Sequence, residues 1–202
     1  MQNHQSYSTI AAYAGEQQHY LSSLAAHCSY AITLQTNLHT CNIAASTMQR
    51  NIDSVQAALA YLRPRPNRLL TGNGCRRKNT LLPVFIPAIE GSTNSYDRNR
   101  TLHVHAVLGN TAHTVTAETC ELLQQGIAKI WQATGIGTAD VRVEQLRKGT
   151  EQRWMSYIGK EAWNRQNIDV IDYSNVQVAA HILDTIGTRT QANTGENRQA
   201  PA

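Results

Sequence analysis

Two histidines stand one residue apart in the apolar stretch TLHVHAVLGN, at residues 101–110. In an extended chain alternate side chains point to the same face, so His103 and His105 share one face while Leu102 and Val104 share the other. Two imidazoles about 7 Å apart along a strand can converge on one metal ion, and imidazole is also the usual general base near neutral pH. The alternative is that both rings simply face water on a half-exposed strand.

A tyrosine and a lysine lie three residues apart in RWMSYIGKEAW. On a helix this spacing puts Tyr157 and Lys160 on one face, with their Cβ atoms about 5–6 Å apart. A tyrosine hydroxyl and an ammonium would then share one locality. Taken alone, the pair is more typical of a surface tyrosine with a neighbouring lysine.

Hydrophobic periodicity predicts the elements that would position these residues. The predicted strands cover residues 29–37, 82–90, 101–110 and 139–146, and the predicted helices cover 43–62, 116–134 and 151–164. The resulting order, β-α-β-β-α-β-α, predicts an α+β fold of the ferredoxin-like or RRM-like split β-α-β type. In that arrangement a central antiparallel sheet has helices on one face and the active site on the other.

Prolines and the composition of the chain ends indicate boundaries. Two prolines within 82–90 favour a sheet edge or a distorted strand, and Pro64 and Pro66 would stop the first helix. We predict an N-terminal extension over 1–28, one domain over 29–185 and a tail over 186–202. The tail has no aromatic and almost no bulky apolar residue, so we expect it to be disordered.

The composition of the 202 residues is that of a globular protein, with 41% hydrophobic and 16% charged residues. No apolar run approaches the length of a membrane span, and the first residues lack the basic and apolar regions of a secretion signal. The four cysteines are widely spaced without a CxxC pair, which indicates neither a disulfide framework nor a thiolate zinc site. We therefore expect a cytoplasmic protein with no membrane partner.

The net charge is only +4, but the basic residues are unevenly distributed. Six of them, with no acidic residue among them, lie between Leu62 and Asn79: Arg63, Arg65, Arg68, Arg76, Arg77 and Lys78. Four more flank the last predicted strand and the helix of Tyr157: Arg142, Arg147, Lys148 and Arg153. Both groups are candidate contacts to a nucleic-acid backbone, and ordinary solvated charge is the alternative for each residue.

Together the motifs resemble those of HUH-family single-strand DNA endonucleases of the rolling-circle replication initiator (Rep) type, in the branch with a single tyrosine. LHVHAVL resembles the HUH motif, YIGKE is similar to the YxxK nucleophile motif, and AITLQTN resembles the weaker first-strand motif. The resemblance covers about residues 29–165. It implies an Mg²⁺ or Mn²⁺ ion bound by His103, His105 and Glu90. It also implies Tyr157 as nucleophile and Lys160 as the residue that steadies the phosphate or the phenolate.

The resemblance further implies an enzyme that nicks and rejoins single-stranded DNA at an origin through a covalent 5′-phosphotyrosine. Its partners would be single-stranded DNA and an origin hairpin or duplex. Because the sequence has no GxxxxGK phosphate loop, unwinding would come from elsewhere, such as a host helicase. The expected setting is a bacterial or archaeal cell, with the gene on a mobile element or virus. The alternatives are an HUH transposase or plasmid relaxase and, in another class, a non-catalytic module that binds single-stranded nucleic acid.

Overall fold

The structure is a computed structural model that describes residues 3–72, 82–92, 96–111, 114–160 and 170–186, with only the backbone described for 3–11. The strands are β1 (Cys28–His39), β2 (Val84–Glu90), β3 (Thr101–Gly109) and β4 (Gly137–Gln145). The helices are α1 (Asn3–Leu24), α2 (Ala45–Leu62), α3 (Arg65–Thr71), α4 (Ala117–Gln132), α5 (Glu151–Ile158) and α6 (180–186).

The four strands form one sheet in the order β2-β3-β1-β4, and every neighbouring pair is antiparallel. The connection from β1 to β2 contains α2 and α3, and α4 connects β3 to β4. This is the split β-α-β arrangement, so the predicted α+β fold is confirmed. The predicted position of β2 at a sheet edge is also confirmed, and residues of the C-terminal segment form isolated bridges with this strand at Phe85 and Ala88.

One face of the sheet packs against α2 and α4. Side chains at alternate strand positions, such as Ile32 of β1 and Val104 of β3, are fully buried there against Leu59 of α2 and Trp131 of α4. We call this layer the first core. Its fully buried members are Tyr30, Ile32, Leu34, Val55, Leu59, Leu62, Phe85, Leu102, Val104, Ala106, Leu108, Leu123, Ile127 and Trp131. The residues of the first core match the predicted alternation in the strands and the predicted helical spacing in α2 and α4. Burial of these apolar positions holds the two helices on the sheet.

The opposite face is partly covered as well, by α1, α5 and residues 170–186. We call the apolar layer beneath them the second core. Its members are Leu21, Leu24, Ala25, Cys28, Val84, Ile86, Ala88, Val107, Met155, Ile158, Val170, Ile171, Ala179 and Ile182. The sequence predicted helices on one face of the sheet only. The covering of the other face includes α1 and the C-terminal segment, to which the periodic pattern assigned no role.

Helix α1 contacts the helix that carries Tyr157. Leu21 and Leu24 are fully buried in the second core together with Met155 and Ile158 of α5. Next to them, the side-chain amide of Gln18 donates a hydrogen bond to the Ser156 hydroxyl, with 2.9 Å between the two atoms. The predicted domain boundary near residue 29 stays a prediction, but α1 contributes directly to the packing of α5.

The structure adds a helix within the predicted basic segment and ends another helix early. Residues after Pro64 form the short helix α3, and Pro66 lies in its first turn, where a missing N–H costs no hydrogen bond. Helix α5 ends at Ile158, with Gly159 as its C-cap, whereas the sequence predicted a helix to 164. Residues 161–169 and the predicted disordered tail beyond 186 lie outside the described residues. Within the described parts of the chain, no helix combines the length and apolar character of a membrane span.

Candidate metal centre and nucleophile

The pairing of β2 with β3 brings three predicted site residues together. Glu90 at the end of β2 lies directly opposite His103 of β3, and His105 is two residues further along the same face. The chain then turns at Gly91 with a φ of +86°, where a Cβ atom would lie 2.7 Å from the carbonyl oxygen of Thr101. Glycine is favoured at such a turn because it adopts positive φ freely and needs no space for a side chain. The sheet register and this turn together fix the position of Glu90.

The three side chains form a compact donor cluster. Glu90 Oε2 is 3.5 Å from Nε2 of His103 and 3.8 Å from Nε2 of His105. One nitrogen or oxygen atom from each residue lies within 4.8 Å of the others. Metal–ligand bonds of about 2.0–2.2 Å bring neighbouring donors to roughly 3–4 Å of one another. The cluster therefore fits one divalent cation after small side-chain adjustments, and its mixed imidazole and carboxylate donors suit Mn²⁺.

Glu90 is buried but remains ionised. Its side chain is only 2% exposed, and Lys160 Nζ lies 2.6 Å from Oε2 and 2.9 Å from Oε1. Burial raises the pKa of Glu90, but hydrogen bonds from His103 and Lys160 and the nearby positive charges outweigh it, so the pKa lies below its usual value. Glu90 is thus a carboxylate at neutral pH, which is the form that binds a cation.

His105 is held neutral with one nitrogen oriented toward Glu90. Burial, supported by the positive charges of His103 and Lys160, lowers the pKa of His105 to about 4 even though Glu90 acts in the opposite direction. The hydroxyl of Thr33, directly opposite on β1, lies 3.1 Å from Nδ1. When Nδ1 donates to that hydroxyl, Nε2 carries the lone pair that a metal needs.

Tyr157 lies next to the donor cluster. Its hydroxyl is 3.5 Å from Nε2 of His105, and its ring stacks on the indole of Trp154 with centroids 5.1 Å apart. Lys160 Nζ lies 3.5 Å from the centre of the same ring. Met155 of α5 is buried in the second core, and this contact directs Tyr157 toward the cluster. Tyr157 itself is 40% exposed.

The structure thus brings Glu90, His103, His105, Tyr157 and Lys160 close together. The five residues come from β2, β3, α5 and the chain just after α5. A buried donor cluster that could hold a cation and an accessible phenol lie side by side. Such an arrangement can bind a phosphate and present a nucleophile to it.

The predicted basic contacts lie in different parts of the structure. Arg142 pairs with Thr33 across β1 and β4, on the face of the donor cluster. Arg147 and Arg153 line a cavity beside Tyr157, and Lys148 is exposed in the loop between β4 and α5.

Arg63, Arg65 and Arg68 are not part of that site. Arg65 and Arg68 belong to α3, which packs with the helices of the first core, and Arg65 lies over the Tyr61 ring. Arg63 donates a hydrogen bond to the carbonyl oxygen of Ser174, at 3.3 Å. Arg76, Arg77 and Lys78 lie outside the described residues.

Sequence reasoning missed two residues that contact the site. Thr33 alternates with the apolar residues of AITLQTN, so the pattern could show its face but not its partner, which depends on the register of β1 with β3. Trp154 packs partly against the second core, stacks on Tyr157 and lies edge-on to His105.

Comparisons with protein-family models, with curated proteins and with solved structures found no match. The fold and the site define an α+β sheet protein with a candidate metal centre beside an exposed tyrosine.

Proposed function

We propose that this protein is a metal-dependent nickase that cuts and rejoins single-stranded DNA through a covalent bond to Tyr157. One observation carries the proposal: the Tyr157 hydroxyl lies 3.5 Å from His105, a member of the three-residue donor cluster. Transfer of a phosphoryl group to a tyrosine needs a cation site and a phenol within reach of one phosphate. The motif resemblance adds the biological role, which is initiation of rolling-circle replication at an origin.

Glu90, His103 and His105 would hold the Mg²⁺ or Mn²⁺ ion. When bound, the ion polarises the scissile phosphate and offsets the negative charge that develops on it. The chain prepares this site in advance, because Glu90 is already ionised and His105 is already neutral.

The protein's own residues supply the nucleophile. The phenol oxygen of Tyr157 forms a bond to phosphorus, and the bond from phosphorus to the 3′ oxygen breaks. The phenol proton passes to water, and the departing 3′ oxygen takes up a proton from water. An ester is exchanged for an ester, so a 3′-hydroxyl can reverse the reaction and reseal the strand.

Lys160 and Trp154 hold the tyrosine for this step. A free phenol has a pKa of about 10 and is a weak nucleophile at neutral pH. The ammonium of Lys160, 3.5 Å from the ring centre, places a positive charge where the phenol becomes negative. The stacked indole of Trp154 restricts rotation of the ring.

The second core argues against the non-catalytic alternative. A module that binds single strands on stacking aromatics needs an open sheet face. Here α1, α5 and residues 170–186 cover much of that face, and the central positions left on it are occupied by His103 and His105. Transposases and relaxases would use the same chemistry on other DNA substrates.

The test is an adduct assay with the full chain. Labelled single-stranded oligonucleotides, both origin-like hairpins and a randomised pool, are incubated with Mn²⁺, and adducts that survive SDS are counted. We expect an adduct that EDTA suppresses and that Tyr157→Phe abolishes. The control is Tyr61→Phe, which removes another exposed hydroxyl on α2 and should leave the adduct unchanged. An adduct of equal yield in Tyr157→Phe, or none from the wild type, would falsify the proposal.

A further inference from the structure

A cavity of about 430 Å³ opens beside Tyr157, between the end of β4 and the start of α5. Its lining includes Glu144, Gln145, Arg147, Arg153, Trp154 and Tyr157. The three residues of the donor cluster do not line it, although the Tyr157 ring borders both places. The cavity is therefore a neighbouring site, separated from the metal centre by the nucleophile.

We propose that this cavity binds the nucleotide on the 3′ side of the scissile phosphate, the one that stays attached to Tyr157 after cleavage. The proposal rests on the proposed nickase function. It assigns the cavity a ligand of defined chemistry, a single nucleotide with its phosphate, and a defined position along the strand.

The lining has the chemistry that a nucleotide requires. The guanidinium groups of Arg147 and Arg153 can each contact phosphate oxygens through two N–H donors. Trp154 presents an aromatic surface for a base, and the Glu144 carboxylate can accept hydrogen bonds from a base edge. The volume also falls within the roughly 300–1,000 Å³ of small-ligand pockets.

The geometry of displacement selects which nucleotide enters. In an in-line displacement the attacking and leaving oxygens lie on opposite sides of phosphorus. The leaving 3′ oxygen, and the nucleotide on its 5′ side, therefore point away from the Tyr157 hydroxyl. The nucleotide joined through its 5′ oxygen stays near the tyrosine ring. Because that ring lines the cavity, the retained nucleotide can reach the cavity. The departing nucleotide lies on the far side of phosphorus, so the tyrosine stands between it and the cavity.

This position has a consequence for rejoining. The retained nucleotide would remain in the cavity while the 3′-hydroxyl strand dissociates or exchanges. The cavity would thus hold the phosphotyrosine in place for the second transfer, and it would set a base preference immediately 3′ to the nick.

The first test removes one base at a time from an oligonucleotide that the full chain nicks with Mn²⁺. An abasic residue just 3′ to the scissile phosphate should slow adduct formation at least 10-fold, because it removes a stacked base. An abasic residue just 5′ should change the rate by less than 3-fold. Equal effects at the two positions, or a larger effect on the 5′ side, would overturn the assignment.

The second test uses the cavity's arginines and equilibrium binding. In a Tyr157→Phe background, which cannot form the adduct, binding of a 5′-phosphorylated mixed-sequence tetranucleotide is measured by fluorescence anisotropy. Arg147→Gln with Arg153→Gln should weaken binding at least 10-fold. The control Arg50→Gln removes an exposed arginine of α2 and should change binding less than 2-fold. Equal affinity in the double variant and the control would overturn the proposal.

The two tests separate the two proposals. If the wild type forms no adduct at all, the nickase function fails, whereas the binding experiment still reports on the cavity. If the adduct forms but neither base position nor the arginines matter, the nickase function stands and the cavity assignment is wrong.

Discussion

The two faces of the sheet differ in what they bury. Strand β3 shows the contrast most directly, because Leu102 and Val104 point into the first core while His103 and His105 point to the donor cluster. The first core buries aliphatic and aromatic side chains against two helices, whereas the second face combines an apolar layer with the ionised Glu90. Because side chains alternate along an extended chain, β3 contributes to the first core on one face and to the candidate metal site on the other.

Exposure to solvent varies along the second face. Glu90 is 2% exposed and Tyr157 is 40% exposed, yet both contact His105. Burying polar groups is unfavourable unless they are hydrogen-bonded, and here Lys160 and Thr33 supply those bonds. We therefore expect that substitutions in the first core reduce stability but leave the donor cluster intact. Substitutions in the donor cluster should remove metal binding but leave the protein folded.

The strongest test of this separation changes adjacent residues of β3. Leu102→Ala should lower the free energy of unfolding by about 2–5 kcal/mol, because it creates a cavity in the first core. His103→Ala should change it by less than about 1 kcal/mol, since its side chain is 25% exposed. Urea denaturation measures both values.

For metal affinity, the larger effect should come from His103→Ala and the smaller from Leu102→Ala. In Mn²⁺ titration calorimetry, His103→Ala should lose at least about 100-fold in affinity, more than an outer-shell change costs. Folded Leu102→Ala should bind Mn²⁺ like the wild type. Retained affinity in His103→Ala, or lost affinity in Leu102→Ala, would contradict the separation of the two faces.

The second face should also make stability depend on pH. The pKa of His105 is lowered to about 4, so between about pH 6.5 and pH 4 the unfolded chain binds a proton that the folded chain does not. Stability should therefore fall as the pH drops through this window, by about 3 kcal/mol in total. The lowered pKa of Glu90 adds a loss of the same sign below about pH 4.5.

Chemical denaturation in EDTA buffers across this range measures the effect. His105→Gln should flatten the slope between pH 6.5 and pH 4. His181→Gln, which removes an exposed histidine of α6, serves as the matched control and should keep the slope. A slope that survives in His105→Gln would mean that other groups cause it.

A smaller effect is expected from the hydroxyl that orients His105. Thr33→Val removes the group 3.1 Å from Nδ1 while preserving side-chain shape, and should lower Mn²⁺ affinity about 10-fold. Thr33→Ser keeps the hydroxyl and should restore most of the affinity. Equal affinities of the valine and serine variants would show that Thr33 acts only by packing.

The smallest effect should come from a helix end on the first face. Thr116 caps α4 in a capping box with Thr119, and Thr116→Ala should cost about 1 kcal/mol of stability. Mn²⁺ affinity and adduct formation should not change. A measurable loss of either would show that the two faces are coupled through α4.

The sequence was sufficient for features that depend on short-range periodicity. The alternation around His103 and His105 gave their common face, whereas Glu90 was assigned beside them only through the motif resemblance. The contact between Thr33 and His105 could not be predicted, because it depends on the register of two strands far apart in the chain. The same limit applies to Trp154, whose stacking on Tyr157 requires knowing how α5 is rotated over the sheet.

The remaining differences come from local geometry and from packing partners. The first helix ends at Leu62, as the two prolines predicted, but the sequence did not predict α3, in whose first turn Pro66 is tolerated. Arg65 and Arg68 consequently lie on a helix packed with α4, although proximity in the chain grouped them with the other basic residues. Helix α1 has a weak amphipathic pattern, and its role becomes evident only from its contacts with α5.

The contact of α1 with α5 has a practical consequence for purification. Leu21 and Gln18 support the helix on which Tyr157 sits, so a protein trimmed back to β1 would expose Met155 and Ile158 to water. Such a shortened preparation would tend to aggregate through that bared surface. The α1 segment should therefore be kept in any preparation used to test Tyr157.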